Sequence, residues 1–296
     1  MKRNRPPQVK EKRRDERDRR VRPHGRPRPE EHGPRPGLIF GVLPVLEALR
    51  SNARRVEKIV VAEGARMHRL SEIFDLAREH RIIVDRAGAE RLSGLAGPGN
   101  NHQGVIAFAA SADYVDSDEI LDAIEGEALI VLLDGVEDPR NLGAVLRTAE
   151  CAGAHGVFIP ERRAVGLNET VAKSSAGAIE HVKVAKVTNL NRLIDELKSR
   201  DIWVVGTSGE AESSYTDWDW TRPSALVMGS EGAGLHRFVA ENCDALVKIP
   251  MYGRIESLNV SVAAGVVLFE ARRQRDANSR FQVKSSEADE GQQAWT

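Results

Sequence analysis

The 296-residue sequence has few of the features that mark secreted, metal-binding or membrane proteins. It contains only two cysteines, Cys151 and Cys243, which cannot form a disulfide framework and lie in no C-x-x-C pair, so a zinc site is not expected. No apolar run approaches the roughly 18 residues of a membrane-spanning helix. The basic N-terminus has no apolar stretch behind it that would make it a secretory signal. These absences predict a protein of the reducing cytoplasm that needs no metal and contacts no membrane.

The net charge is only -1, but it is unevenly distributed. Residues 1–36 hold 14 Lys and Arg against 6 Asp and Glu, a balance of +8, so the remaining 29 basic and 38 acidic residues give -9. This first segment is rich in Arg and Pro and has almost no apolar residues, a composition typical of a disordered extension. It is either a solvated tail or an arm that contacts nucleic acid, because attraction to phosphate needs only unpaired basic side chains.

Hydrophobic periodicity predicts two α/β regions in the rest of the chain. The first is a small domain at 37–112, and a polar linker at 113–127 with one helical turn or more follows it. In the second region, at 128–275, strands alternate with helices, as in a mostly parallel sheet. Residues 276–296 form a polar tail that is expected to fray. Strands are predicted at 56–62, 82–84, 105–109, 129–133, 156–159, 182–187, 202–206, 225–228 and 246–249, and the longest helix at 258–275.

A first candidate cluster follows the strand at 129–133 and has the sequence DPRNLG at 138–143. Asn141 lies where a helix would begin, so it could be no more than the N-cap of that helix. Capping does not explain Arg147, which lies further along the same helix among apolar and small residues. We expect Arg147 to be buried, and a buried guanidinium needs an anionic partner such as phosphate or carboxylate.

A second cluster, GSEGAG at 229–234, follows the strand at 225–228. Its three glycines would allow the backbone to approach a ligand closely. The spacing is not the G-x-G-x-x-G of dinucleotide-binding proteins, and no Gly-Lys-Ser/Thr follows as in a P-loop. Taken alone, the cluster is equally compatible with an ordinary turn between a strand and a helix.

A third cluster precedes the last predicted helix. Ser257 is placed as its N-cap and Asn259 in its first turn, where asparagine disfavours the helix and therefore suggests a functional role. The helix also carries an apolar stripe at helical spacing, formed by Leu258, Val262, Val266 and Phe269. Packing into the core and a subunit interface are the alternatives for this stripe.

In order and spacing, the three clusters resemble the three motifs of the SpoU (TrmH) superfamily of RNA 2'-O-methyltransferases. The small first domain is also similar to the RNA-binding domain of that family, with Phe40-Gly41 at its start and Asn101-His102-Gln103-Gly104 near its end. The resemblance extends from about residue 37 to 275. It implies an α/β catalytic domain whose mostly parallel sheet contains a deep trefoil knot, preceded by a small α/β RNA-binding domain (ribosomal-protein L30e-like).

The resemblance implies methylation of a ribose 2'-hydroxyl with S-adenosylmethionine as donor and without a metal. The implied catalytic residues are Asn141, Arg147, Glu231, Ser257 and Asn259, and the implied donor contacts are Thr207, Gly229, Ile249 and Leu258. Arg147 is discussed in this family as the proton acceptor. Because a free guanidinium stays protonated, holding a phosphate and stabilising the developing alkoxide is the more conservative role.

The resemblance also implies the partners. A guanosine of 23S ribosomal RNA is the expected substrate, and a second copy of the chain is expected to form a homodimer in which Arg147 serves the partner's site. Methylation of transfer RNA is one alternative. The other is a non-catalytic RNA-binding factor of ribosome assembly that kept the fold.

Overall fold

The computed structural model describes residues 37–293 except 53–54, 66–67, 69, 98–99 and 111, with side chains described to residue 279. The expectations for residues 1–36 lie outside this range. In these described parts of the chain, no helix combines the length and apolar character needed to cross a membrane.

The first region is a four-stranded sheet in the order β1-β4-β2-β3. Strand β4 runs antiparallel to β1 and β2, whereas β2 and β3 are parallel. Apolar residues fill both faces of this sheet. Its elements are β1 (Gly37–Phe40), α1 (Val42–Ser51), β2 (Val56–Ala62), α2 (Ser71–Glu79), β3 (Ile83–Ala87), α3 (Ala89–Ala96) and β4 (Val105–Ala109).

The second region is built on a seven-stranded sheet in the order β7-β6-β5-β10-β8-β11-β9, and every strand pair is parallel. Its elements are α4 (Ser117–Asp122), β5 (Leu129–Asp134), α5 (Pro139–Cys151), β6 (Gly156–Pro160), α6 (Glu169–Ser174), a short 3-10 turn (Ala178–Glu180), β7 (Val184–Val187), α7 (Leu190–Ser199), β8 (Trp203–Thr207), β9 (Ser213–Ser214), β10 (Ser224–Gly229), α8 (Arg237–Glu241), β11 (Ala245–Lys248) and α9 (Val260–Gln293). Every residue of β5 and β10 is buried, because helices cover both faces of the sheet. The predicted α/β fold with a parallel sheet is confirmed, while the trefoil knot stays a prediction.

The helical turn expected in the linker at 113–127 is α4, which buries Ile120 and Leu121 under the sheet. Two other features of the second region differ from the predicted elements. Helix α9 continues to Gln293, past the predicted end at Arg275. The short elements β9 and α8 were not predicted.

Helix α9 is fixed to the sheet by Arg275. Its guanidinium donates to the backbone carbonyls of Glu127, Ala128, Trp220 and Arg222, at 2.7–3.1 Å. Burial lowers the pKa of this guanidinium, but the carbonyls satisfy its donors. The anchor holds the helix whose first turn enters the candidate site.

Candidate active site

Sheet topology brings the three sequence clusters together. Strands β5 and β10 are neighbours in parallel register, with Gly229 opposite Asp134, so the segments that follow them leave the same edge of the sheet side by side. Helix α9 packs along α5, where a methyl of Thr148 would lie 3.6 Å from a Cβ at Gly265. The start of α9 therefore joins the two strand ends. Ligands of open α/β sheets bind at such carboxyl ends.

The first cluster forms the start of α5, but Asn141 is not its cap. Asp138 is the N-cap, because its side chain accepts a 2.7 Å hydrogen bond from the Arg140 amide, and Pro139 occupies the first helical position. The capping interpretation of Asn141 is therefore wrong. Its buried side chain is free to bond to the other clusters.

The second cluster is a closed loop after β10. Ser230 and Gly234 exchange backbone hydrogen bonds of 2.9 and 3.0 Å, and Gly232 and Gly234 have φ values of 82° and 68°, which glycine adopts without strain. At Gly229 a Cβ would collide with the backbone of Gly234 and Leu235. Gly229 therefore allows the backbone of its own loop to approach it closely, and Glu231 lies at the tip of that loop.

The third cluster caps α9 through Asn259, not Ser257. The Asn259 Oδ1 accepts hydrogen bonds from the amides of Ser261 and Val262, at 2.9 and 3.4 Å, and the helix begins at Val260. Asparagine is among the best N-caps, so the helix starts later than predicted. Ser257 lies in the exposed segment before it.

Side chains from the three clusters form one hydrogen-bonded network. The Asn259 Nδ2 donates to Asn141 Oδ1 at 2.9 Å and to Glu231 Oε1 at 2.6 Å. The Asn141 Nδ2 donates to the same Glu231 oxygen at 2.7 Å. Two amides therefore fix one oxygen of the Glu231 carboxylate, while no described residue bonds its second oxygen. We call Asn141, Glu231 and Asn259 the amide–carboxylate triad.

Two members of the triad, Asn141 and Glu231, line a cleft of about 310 Å³. Gly135, Glu137, Arg163 and His236 line other parts of this cleft. It is open to solvent and mixes charged with polar groups, as expected of a site for a polar substrate.

A second side-chain pair in this cleft was missed at the level of sequence. Asp134 ends β5 and is only 4% exposed, and its carboxylate accepts a 2.7 Å hydrogen bond from the His236 amide. The other carboxylate oxygen lies 2.8 Å from His236 Nδ1. The signal was an acidic residue closing an otherwise apolar strand, since a buried charge needs a partner.

Arg147 does not join the triad within one chain. Its side chain is exposed, so the prediction that it is buried is wrong. It lies six residues after Asn141 on α5, which places it about 9 Å further along the axis and about 120° around it. The apolar residues beside it in sequence face the core, whereas Arg147 faces solvent.

The apolar stripe at the start of α9 is mostly exposed. Leu258, Val262 and Phe269 are 40%, 52% and 51% exposed, and Val266 is half-buried. Core packing within the chain is therefore the wrong alternative for the three exposed residues.

The implied donor contacts lie at neighbouring strand ends. Thr207, Gly229 and Ile249 end or follow β8, β10 and β11, which are adjacent in the sheet, and Leu258 precedes α9. The Thr207 hydroxyl donates to the Val227 carbonyl at 3.3 Å.

The backbone beside these residues suits a heterocyclic ligand. No backbone amide or carbonyl in residues 249–258 bonds another described residue. Ile249 is half-buried and Leu258 partly exposed, so apolar side chains flank these free polar groups. A planar ring with polar edges, such as adenine, could be bonded by the backbone and covered by the two side chains.

Known proteins share both regions of the chain. Residues 128–269 match the SpoU rRNA Methylase family, and residues 38–115 match the family described as RNA 2'-O ribose methyltransferase substrate binding. The chain is 48% identical to the 23S rRNA (guanosine-2'-O-)-methyltransferase RlmB of Ralstonia nicotianae over 239 residues, which are 80% of this chain and 96% of that protein. It is 43% identical to the putative TrmH family tRNA/rRNA methyltransferase YacO of Bacillus subtilis over 241 residues, with shares of 80% and 96%.

A solved structure supports the same relationship. The SpoU methyltransferase AviRb from Streptomyces viridochromogenes, in complex with the cofactor AdoMet, is similar with a TM-score of 0.68 and 28% identity, over 81% of this chain and 90% of that one.

Proposed function

Because the chain belongs to the SpoU rRNA methylase family, we propose that it methylates the ribose 2'-hydroxyl of a guanosine in 23S ribosomal RNA, with S-adenosylmethionine as the donor. The observation that carries the proposal is the amide–carboxylate triad, in which one side chain from each of the three clusters meets the others at 2.6–2.9 Å. A protein that only bound RNA would not need this arrangement beside an open cleft.

The triad positions the attacking hydroxyl. S-adenosylmethionine supplies an electrophilic methyl group on a sulfonium, which is also a good leaving group. The chain must then align the 2'-oxygen and manage its proton. Glu231 is held through Oε1 by two amides, so its second oxygen can accept a hydrogen bond from the 2'-hydroxyl and fix the direction of attack.

Donor binding is proposed at the ends of β8, β10 and β11. Thr207 and Gly229 shape the strand ends, and Ile249 and Leu258 cover the adenine while free backbone groups of 249–258 bond its edge. The fit rests on the unbonded backbone of this segment.

Residues 37–112 are proposed to bind the RNA and hold it near the cleft. The first region contacts the second through polar side chains: Lys173 Nζ donates to Asn100 Oδ1 at 2.9 Å, and His181 Nε2 lies 2.9 Å from Glu47 Oε2. Burial alone would raise the pKa of Glu47, but its bonds with His181 and Arg50 lower it overall. These contacts give the RNA-binding surface a fixed position on the catalytic region.

A homodimer is proposed to complete the site. The exposed stripe on α9 is an apolar surface suited to a second copy of the chain. Arg147 is exposed and remote from its own triad, so it is free to enter the partner's cleft and hold a phosphate of the bound RNA. A monomer mass in light scattering at micromolar concentration, with full activity, would contradict the dimer.

The substrate is tested with methyl-labelled S-adenosylmethionine. Purified protein is incubated with 23S ribosomal RNA lacking 2'-O-methylation or with unmodified transfer RNA, and the modified nucleotide is mapped by primer extension at limiting nucleotide concentration. Label on one guanosine of 23S RNA is expected. Label on transfer RNA alone would favour the transfer-RNA alternative, and donor binding without transfer to either RNA would favour an assembly factor.

Cytoplasmic location stays a prediction.

A further inference from the structure

Neither the triad nor Arg147 offers a base that readily takes the proton from the 2'-hydroxyl. The amides of Asn141 and Asn259 are not bases, and Glu231 is a carboxylate, which is a weak base at neutral pH. Arg147 stays protonated. A cleft built for this reaction should therefore offer another acceptor.

His236 has the placement of such an acceptor. It lines the same cleft as Asn141 and Glu231, and its side chain is 49% exposed. Its Nε2 is bonded by no described residue. Histidine is the side chain whose ordinary titration allows it to accept a proton near neutral pH.

Asp134 fixes the orientation of His236. One carboxylate oxygen accepts a hydrogen bond from the His236 backbone amide at 2.7 Å and the other faces Nδ1 at 2.8 Å, so the residue is held through both its backbone and its ring. Because an ionised carboxylate only accepts hydrogen bonds, Nδ1 carries the proton and the lone pair of the neutral ring is on Nε2. The backbone of Gly135 lies beside the ring, because a Cβ there would be in van der Waals contact with His236 Cε1 at 3.4 Å, and its φ of 83° is one that glycine adopts without strain.

We infer that His236, oriented by Asp134, is the general base of the proposed methyl transfer. As the 2'-oxygen forms its bond to the methyl carbon, the carbon–sulfur bond breaks and its electron pair stays on sulfur, which becomes a neutral thioether. The 2'-hydroxyl proton passes to Nε2, and the buried Asp134 carboxylate stabilises the resulting imidazolium. The proton then leaves to solvent through the open cleft. This assignment rests on the proposed function.

Other charged groups line the same cleft. Glu137 and Asp138 precede α5, Arg163 follows β6, and Glu231 follows β10. Arg237 begins α8 directly after His236 and is not among the residues that line the cleft.

The test uses two substitutions of His236, each of which leaves a polar group near one of the two ring nitrogens. In His236→Asn, the side-chain amide can replace Nδ1 as the donor to Asp134, but nothing replaces Nε2. In His236→Gln, a polar group remains near the Nε2 position but cannot accept a proton. Arg237→Gln is the matched control, because Arg237 is exposed and pairs only with Glu241 among the described residues.

Single-turnover methyl transfer is measured from pH 5 to 9 with saturating donor and RNA, together with donor and RNA affinity. The wild type should show a rate that rises with pH on the acid side. Both His236 variants should transfer the methyl group about 10²- to 10⁴-fold more slowly, lose that rise and keep both affinities within about threefold. The control should match the wild type.

A rate within about threefold of wild type in both His236 variants, with an unchanged pH profile, would overturn the inference. A loss confined to RNA affinity, with the saturated rate intact, would also overturn it and make His236 a binding residue. A variant that binds donor normally is folded, so donor affinity excludes misfolding as the cause of a lost rate. Wild-type protein that transfers no methyl group would overturn the proposed function itself.

Discussion

Asn259 performs two tasks that substitutions can separate. Its Oδ1 caps α9 by accepting from the Ser261 and Val262 amides, and its Nδ2 ties Asn141 to Glu231. Asn259→Ser keeps a good capping oxygen but removes the bridging amide, whereas Asn259→Ala removes both. We expect both variants to lose activity but only the alanine variant to lose the stability of the cap.

The magnitudes follow from the bonds that each change removes. Loss of the cap costs about 1 kcal/mol, which in a domain of this size lowers the Tm by about 2–4 °C, so Asn259→Ala should melt that far below Asn259→Ser. The bond from Asn259 to the Glu231 carboxylate is worth about 1.5–3 kcal/mol. If that bond orients Glu231 in the transition state, both variants should methylate RNA about 10- to 100-fold more slowly.

Thermal unfolding and single-turnover methyl transfer on the same preparations provide the measurement. Asn259→Asp is a useful third variant, because it retains the cap and places a second carboxylate 2.6 Å from Glu231 Oε1. Its cap should be intact, but repulsion between the two carboxylates should lower its Tm below that of the serine variant and make it the slowest of the three. Equal melting temperatures for serine and alanine would refute the capping argument, and a serine variant within about threefold of wild-type rate would refute the bridging argument.

Four further outcomes are expected. Arg147→Ala should abolish methyl transfer with donor affinity retained, and mixing it with inactive Glu231→Gln should restore about a quarter of wild-type activity if Arg147 serves the partner's site; no recovery would place it in its own site. Gly229→Ala should lower the Tm and the activity together, because a Cβ meets the Gly234 backbone; an unchanged Tm would contradict this collision. Burial raises the pKa of Cys243 from 9.0 to about 12, so the thiol ionises at lower pH in the unfolded chain than in the folded one. The free energy of unfolding should therefore fall as pH rises between these values, and Cys243→Ala should reduce this slope in denaturant titrations. A variant that starts at Gly37 should methylate the same nucleotide with weaker RNA binding and a shallower salt dependence; a changed target would show that residues 1–36 select the site.

The strands of the second sheet were predictable because burial of both faces of a strand restricts which residues it can contain. A strand covered on both faces must be apolar throughout, and 129–133 and 225–228 are such runs, so β5 and β10 appear within one residue of their predicted positions. The order of the strands within the sheet does not follow from their residue composition. That β10 lies between β5 and β8 depends on long-range pairing, and this pairing is what joins the clusters.

Within the site, it was easier to predict which residues matter than what each of them does. Asn259 was singled out as unfavourable inside a helix, but it lies one position before the helix and caps it. Gly229 was assigned to a ligand, yet its lack of a Cβ is required by its own loop. Arg147 was expected to be buried because its sequence neighbours are apolar, although α5 turns those neighbours to the core and Arg147 to solvent. The errors at Asn259 and Arg147 have related causes, because side-chain direction depends on where a helix begins and what it packs against. The donor contact at Gly229 stays a prediction.

The start of α9 couples the fold to the chemistry. The same Asn259 side chain that satisfies the first amides of the helix also donates from Nδ2 to Glu231, so one of the two amide bonds that hold the carboxylate depends on the helix beginning at Val260. Arg275 anchors α9 at the opposite edge of the sheet and so holds that starting point. The exposed stripe begins within one turn of the same cap. A second chain packed against this stripe would therefore order the helix start, and through Asn259 it would also order Glu231, which gives dimer formation a direct route to activity beyond any contribution of the partner's Arg147.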